Sequence, residues 1–449
     1  MSEDRVHILG ICGTFMGGLA LLGKEKGMDV SGCDENIYPP MSDHLNEMGI
    51  NINEGYDVSN IPDADYYVIG NSISRGNPAL EYLLSKKANL LSGPEWLYET
   101  VLKHKRVIAV SGTHGKTTTT AMIAWIFEDQ GINAGYLIAG KPKDFEKSAR
   151  FGSEDIFVIE ADEHDTAFFD KRSKFIHYSP DTLIINNLEF DHADKFPYKN
   201  FIFREFHHLI RTLREESQII FPIDDLNISK VLEMGSWSKL ISYGLSDNQD
   251  NLLDFQSDSM NTLFKINDEE GQINWEMYGE HNARNAMVAI LAVQQYGISL
   301  QDALTSLAKF QGVSKRQDIL FDNGNLMLIE DFAHHPTAIK TTLAGIRKKF
   351  PEHRLMAAIE LRSNTMRSGF HDEILVEAIS DADKVFWKSE DIEQAEGLVG
   401  KNPAKSYQIL NVDHFVNDFD SISCDILLIM SNGNFDGLSR KLIKKLNEA

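Results

Sequence analysis

Residues 107–119 read VIAVSGTHGKTTT, and this run constrains the fold more than any other stretch. A short apolar run passes into a turn holding Gly112 and Gly115, then into Lys116, four threonines and an apolar-periodic segment ending near Gln130. That order predicts a strand, a tight loop and a helix. Glycines at such a junction let backbone amides turn inward around phosphate oxygens, and the helix N-terminus adds partial positive charge. Lys116 then neutralises the terminal phosphates, and the Thr117 hydroxyl is suited to Mg2+. The standard phosphate loop has a glycine five residues before Gly115, where this chain has Val110. The loop is the shorter GxxGK[ST]. A capped helix start with a fortuitous Gly-Lys-Thr is the plainer alternative, and the order of strand, loop and helix weighs against it.

The same strand-then-helix order recurs along the chain and predicts α/β blocks built on parallel sheets. A first block has strands at 5–9, 28–32 and 66–69, with a glycine-rich turn and a helix at 17–26 after the first. Basic residues 103–106 mark a join. The second block starts with strand 107–110 and helix 116–130, continues with strands 156–159 and 182–185, and closes with a helix at 281–295. Between them, 237–278 is polar and rich in Asp and Asn, and reads as a small antiparallel excursion with strands at 262–266 and 272–277. The third block follows Arg316, with strands at 326–329, 354–359, 384–386 and 426–430 and a helix at 336–349. Three such blocks in 449 residues predict domains at 1–104, 105–313 and 314–449.

Lys and Arg number 44 against 67 Asp and Glu, so the formal charge is −23. That balance excludes nucleic acid or an anionic membrane surface as the main partner and favours small-molecule substrates. Cys12, Cys33 and Cys424 are scattered, without disulfide or zinc spacing. The opening MSEDRVHILG is unlike an export signal, and no apolar run reaches the about 18 residues of a membrane span. A cytoplasmic protein is expected, as a monomer or weak homodimer.

Strand 156–159 delivers Glu160-Ala-Asp-Glu-His-Asp165, an acidic cluster where a phosphate-loop protein needs Mg2+ ligands. A solvated acidic loop is the alternative. Strand 182–185 leads to Asn186-Asn-Leu-Glu-Phe-Asp-His192, where a lone histidine is more often a hydrogen-bonded structural residue. Glu330-Asp331-Phe-Ala-His334-His335-Pro336 sits between a strand and a helix. Its paired histidines either contact a nucleotide or cap the backbone.

Taken together, GTHGKTTT, EADEHD, the DH of LEFDHAD, GEHNARNA at 279–286 and DFAHHPT at 331–337 occur in one order over the whole chain. In that order the chain resembles the Mur ligases, ATP-dependent amide-forming enzymes of bacterial peptidoglycan synthesis. The resemblance implies a three-domain architecture: a Rossmann-like UDP-binding domain, a central phosphate-loop ATPase domain and a C-terminal Rossmann-like domain. The phrases at 10–18, 168–178, 186–196 and 362–369 are similar to the branch that joins L-alanyl-γ-D-glutamyl-meso-diaminopimelate to UDP-N-acetylmuramate in peptidoglycan recycling. The alternative is the branch that adds free L-alanine in new synthesis. A non-enzymatic nucleotide switch needs neither the first block nor the third.

The resemblance implies roles for particular positions. Gly10, Gly13, Thr14, Phe15, Met16 and Gly17 would approach the diphosphate of a UDP-sugar and Asp34 its uridine, with Asn71, Ser72 and Arg75 bordering the same ligand. Cys12 stands where the dinucleotide fingerprint has its second glycine, consistent with a turn that does not take NAD. ATP would be held by Gly112, Thr113, His114, Gly115, Lys116, Thr117 and Thr118, with Asn282 and Asn285 near adenine and phosphates and Arg316 and Asp331 closing over it. Thr117, Glu160 and His192 would be the metal ligands, and Lys116, Glu160, His192 and Arg316 the catalytic set. Arg362, Ser363, Asn364 and Met366 are the peptide-binding candidates, Arg362 being suited to a carboxylate. Some Mur ligases carry a carbamylated lysine fifteen residues after the metal histidine; His207 occupies that position here.

Overall fold

The computed structural model describes residues 4–37, 41–189, 199–245, 251–255, 261–275, 277, 279–419 and 424–448. The chain forms two compact units, one of Met1–Glu189, Ile202–Leu252 and Ala286–Phe310, the other of Phe190–Phe201, Leu253–Asn285 and Gln311–Ala449.

The first unit holds two α/β sheets. The N-terminal sheet has five parallel strands in the order Asn51–Glu54, Asp29–Asp34, Arg5–Leu9, Tyr66–Ile69, Leu90–Ser92. Strand order reverses beside Arg5–Leu9, so the crevice of an open parallel sheet falls at the carboxyl end of that strand. Helix Thr14–Glu25 begins three residues before the expected start. Local chemistry sets the other helix starts: Asn77 accepts from Leu80 N ahead of Pro78–Ser85, and Ser92 and Glu95 form a capping box on Gly93–Thr100.

The second sheet has seven strands in the order Lys239–Tyr243, Gln218–Pro222, Thr182–Ile185, Arg106–Ser111, Ile156–Glu160, Gly135–Leu137, Ala149–Arg150. All neighbours are parallel except the last pair. One expectation changes here. Residues 239–243 belong to this parallel sheet, pairing with 218–222, and not to an antiparallel excursion. Their alternation is weak because an edge strand buries little of either face. The antiparallel excursion is confined to strands Asn251–Phe255, Asn261–Ile266 and Glu269–Asn274.

In the second unit a six-stranded sheet runs Asp318–Asp322, Met327–Asp331, Ile426–Met430, Leu355–Leu361, Lys384–Ser389, Ser406–Gln408, with only the first pair antiparallel. Ile329, Ala357, Ile359, Leu428 and Met430 pack into one core, while Leu328, Met356, Ala358, Leu427 and Ile429 pack into another. Alternate residues therefore enter cores on opposite faces, which is why these strands read as continuous apolar runs.

His7 lies fully buried in the central strand of the N-terminal sheet, its Nδ1 2.9 Å from Ser31 Oγ. Burial pushes its pKa down to about 4 from the ordinary 6.5. The unfolded chain therefore takes up this proton first as pH falls. The stability linked to a neutral His7 is complete above pH 6.5 and is lost progressively as pH falls from about 6.5 to about 4. We predict that His7→Phe removes a loss of order ~3 kcal/mol over that window. Denaturant unfolding of both proteins at pH 7.5 and pH 4.5 measures it, and equal pH sensitivity contradicts it.

Candidate functional site

Strand Arg106–Ser111 passes into helix Lys116–Asp129 through Gly112–Gly115. Gly112 has φ +126° and Gly115 φ +81°, conformations that L side chains rarely adopt. A Cβ on Gly112 would stand 2.9 Å from Asn187 O. Gly115 is the N-cap residue and supplies no side-chain hydrogen bond to the first turn, which leaves those amides for an anion.

Asn187 clasps the loop. Its Oδ1 accepts from His114 N at 2.8 Å and its Nδ2 donates to His114 O at 3.1 Å. Its backbone O also accepts from Thr113 N at 3.2 Å. Thr113 Oγ1 meets the backbone of Glu189, accepting from its N at 2.9 Å, and Asn186 Nδ2 reaches Thr119 Oγ1 at 3.0 Å. On sequence Asn186 and Asn187 are only the lead-in to a possible histidine ligand. Their own amides hold the loop, and the only signal for this was their place at the end of a parallel strand.

Lys116 Nζ donates to Gly112 O at 2.7 Å and lies 3.3 Å from Glu163 Oε2. Burial works to lower the pKa of this ammonium, but Glu163, Asp162 and Glu160 outweigh it and hold the group above the usual lysine value. Lys116 is therefore a permanent cation. Thr117 Oγ1 donates to Glu160 Oε2 at 3.0 Å, and Glu160 Oε1 accepts from Ala139 N at 2.6 Å. An oxygen pair 3.0 Å apart matches adjacent corners of an octahedron with metal–oxygen distances of about 2.1 Å. The donors suit a hard cation. Tyr178 is fully buried nearby; burial, then Asp162 and Glu160, raise its pKa well above the tyrosine value and keep it protonated. His192 lies outside the described residues. His207 is on helix Lys199–Ile210, its ring 6.2 Å from that of Trp237.

A second pocket opens at the carboxyl end of the N-terminal sheet, lined by Gly10, Cys12, Gly13, Met16, Asp34, Asn36, Gly70, Asn71 and Ser72. Its volume, about 170 Å3, is below the about 300–1,000 Å3 of a complete small-molecule site and fits one part of a longer ligand. Asp34 shapes it by accepting Cys12 N at 2.9 Å and Asn36 N at 3.0 Å. Burial, then Asp34, push the Cys12 thiol up to about 11, so it is not a thiolate nucleophile.

Four of the expected sugar-nucleotide residues are not among that lining. Arg75 is exposed and held by Glu81 at 2.8 Å because the short turn before helix 78–85 brings the pair together. Gly17 packs under Met41, whose Sδ would be 2.3 Å from a Cβ there. Thr14 is exposed at the helix start, and Phe15 packs beside Gly93 and under Lys174 Nζ, 5.2 Å from its ring.

In the second unit Asn282 and Asn285 are buried near the start of helix Glu280–Gln294, 3.5 Å apart from Nδ2 to Oδ1, and Asn282 Nδ2 lies 3.5 Å from Gln317 Oε1. Asp331 accepts from Gln317 N at 2.8 Å and Ala333 N at 2.7 Å. Burial raises its pKa, against the pull of Arg316 and those two amides. The Arg316 guanidinium lies 4.5 Å from the centre of the Phe332 ring. His335 caps helix Pro336–Lys349 by accepting from Thr337 N, and His334 Nδ1 lies 2.9 Å from Phe332 O, so both histidines meet local backbone.

Arg362 is exposed over Gly433, where a Cβ would collide with its Nη1 at 1.8 Å. Ser363 Oγ accepts from Met366 N at 3.3 Å, and residues 364–367 form one helical turn. The Asn364 side chain lies outside the described set. Met366 departs from the peptide-binding expectation: it is 1% exposed and packed in the sheet core, so it anchors the turn.

Residues 5–105 match the pattern described as "Mur ligase family, catalytic domain", and residues 110–293 match "Mur ligase middle domain". The chain is 42% identical over 98% of both chains to UDP-N-acetylmuramate–L-alanyl-γ-D-glutamyl-meso-2,6-diaminoheptandioate ligase of Escherichia coli K12. It is 31% identical, over 84% of this chain and 82% of the other, to UDP-N-acetylmuramate–L-alanine ligase of Hydrogenovibrio crunogenus. Among solved structures, a murein peptide ligase from Psychrobacter arcticus superposes with a TM-score of 0.77 at 39% identity, covering 100% of this chain and 99% of that one.

Gly112→Ala places a methyl against the Asn186–Asn187 backbone at a positive φ. We expect a loss of ~1–3 kcal/mol of stability and a collapse of ATP affinity. Unfolding curves with a nucleotide-binding titration test this, and wild-type ATP affinity would count against the loop as the phosphate site.

Proposed function

The chain belongs to the Mur ligase family, and from that premise we propose how its residues carry out the reaction. It is an ATP-dependent, ADP-forming ligase that joins L-alanyl-γ-D-glutamyl-meso-diaminopimelate to UDP-N-acetylmuramate in peptidoglycan recycling. The observation carrying this reading is 42% identity over nearly the whole chain to a ligase of that name, against 31% to the alanine-adding ligase. In this proposal residues 1–104 carry the UDP-sugar, 105–313 carry ATP, and 314–449 take the peptide and close the site. The substrates are charged small molecules, and the proposed setting is the cytoplasm. Among the described residues no helix is long and apolar enough to cross a membrane.

A carboxylate is a poor electrophile, so the first step phosphorylates one of its oxygens and thereby turns that oxygen into part of a leaving group. The lactyl carboxylate of the UDP-sugar attacks the γ-phosphorus of ATP, ADP departs, and an acyl phosphate forms. The α-amine of the peptide then attacks the acyl carbon, inorganic phosphate leaves, and the amine surrenders a proton. Lys116, charged throughout, neutralises the transferring phosphoryl group, and the Gly112–Gly115 amides orient it. Thr117 and Glu160 would hold Mg2+, with His192 as a further ligand by family resemblance. When bound, the ion supplies charge neutralisation at the phosphate oxygens. Arg316, beside Asp331, is the proposed cation that completes the ATP site, with Asn282 and Asn285 near the adenine.

Lys116→Ala should abolish product while leaving UDP-sugar affinity within about two-fold. Unchanged turnover refutes the assignment of the loop. Offering tripeptide and free L-alanine together with UDP-N-acetylmuramate and ATP should give phosphate release dependent on tripeptide. Preferential use of alanine makes the protein the alanine-adding enzyme instead.

A further inference from the structure

The loop following the acidic cluster is held rigid by its own bonds. Lys174 N donates to His164 O at 2.9 Å and Thr166 N to Arg172 O at 3.1 Å. The Asp170 carboxylate binds Arg172 at 2.7 Å and His177 at 2.9 Å. Among the charged side chains of this loop, Lys174 is buried, only 8% exposed.

An ammonium carries three donors and is costly to bury with them unmet. Among the described residues, Lys174 Nζ has one loose partner, Asp162 Oδ2 at 3.5 Å, and faces the Phe15 ring at 5.2 Å. These neighbours locate it. Phe15 precedes Met16 of the pocket at the N-terminal sheet. Asp162 precedes Glu163, the partner of Lys116. The ammonium thus stands between the sugar-nucleotide pocket and the phosphate loop.

Apart from its diphosphate, the UDP-sugar carries one anion, the lactyl carboxylate, and this group must travel from that pocket to the γ-phosphate. We propose that Lys174 is a substrate-positioning residue that receives the lactyl carboxylate and aligns it for phosphorylation. The inference rests on the functional reading above. A purely structural role, neutralising Asp162, makes a different prediction, because it involves no recognition of the carboxylate.

UDP-N-acetylglucosamine is UDP-N-acetylmuramate without the lactyl group, so the pair isolates this contact. Binding of each, and of ATP, is measured by calorimetry on the full-length protein and on Lys174→Met, Lys174→Gln and Lys174→Arg. The neutral variants should lose at least ~10-fold in affinity for UDP-N-acetylmuramate and under ~2-fold for UDP-N-acetylglucosamine and ATP, as loss of one charged hydrogen bond requires. Lys174→Arg should restore most of the preference. If Lys174→Met does not fold, Lys174→Gln carries the comparison. Equal losses for the two sugar nucleotides, or no loss, overturn the inference while leaving the ligase reading intact if the wild type still turns over. A wild-type protein that binds neither sugar nucleotide overturns both.

Discussion

The parallel pairing of three strands in the seven-stranded sheet is the constraint from which the site follows. Arg106–Ser111 is flanked by Thr182–Ile185, with Ser111 opposite Ile185, and by Ile156–Glu160, with Val110 opposite Glu160. Parallel register brings all three carboxyl ends to one edge. Segments 43 to 73 residues apart in sequence therefore meet: Thr117 reaches Glu160, Lys116 reaches Glu163, and His114 is gripped by Asn187. A register slip would separate Lys116 from its carboxylates.

Electrostatics at that edge are a balance of buried opposite charges. The carboxylates at 160, 162 and 163 keep Lys116 charged in spite of its burial. Asp162 is held below the usual carboxylate range, against burial, chiefly by Lys174, with His164 and Lys116 assisting. Such alternation of buried charge is expensive when incomplete and most stable when an anion and a divalent cation are both present. In the proposed function ATP with Mg2+ would supply that pair.

Much of this was legible beforehand where the signal was local. The Gly112–Thr117 loop, the strand ends at Glu160 and Asp331 and the helix at Pro336 are each written in neighbouring residues, because backbone conformation and capping are short-range effects. Less legible were side chains whose roles depend on what lies across space. Arg75 is exposed and paired with Glu81, Met366 is in a core, and Gly17 makes room for Met41. The edge strand 239–243 has a polar pattern that resembled the excursion beyond it. Its parallel partner, 218–222, is what defines it.

By itself the sequence determined the α/β class, the strand–loop–helix at 106–129 and the family, since these rest on ordered short motifs and on apolar periodicity. Only the tertiary structure decided which donors surround each charged group. It showed that Asn187 clamps the Gly112–Gly115 loop, that Glu160 is shared between Thr117 and Ala139, and that Lys174 is buried with Asp162 as a loose partner. The physical reason is range. Propensity and capping act within a few residues, while burial and hydrogen-bond satisfaction depend on strands that the fold brings together.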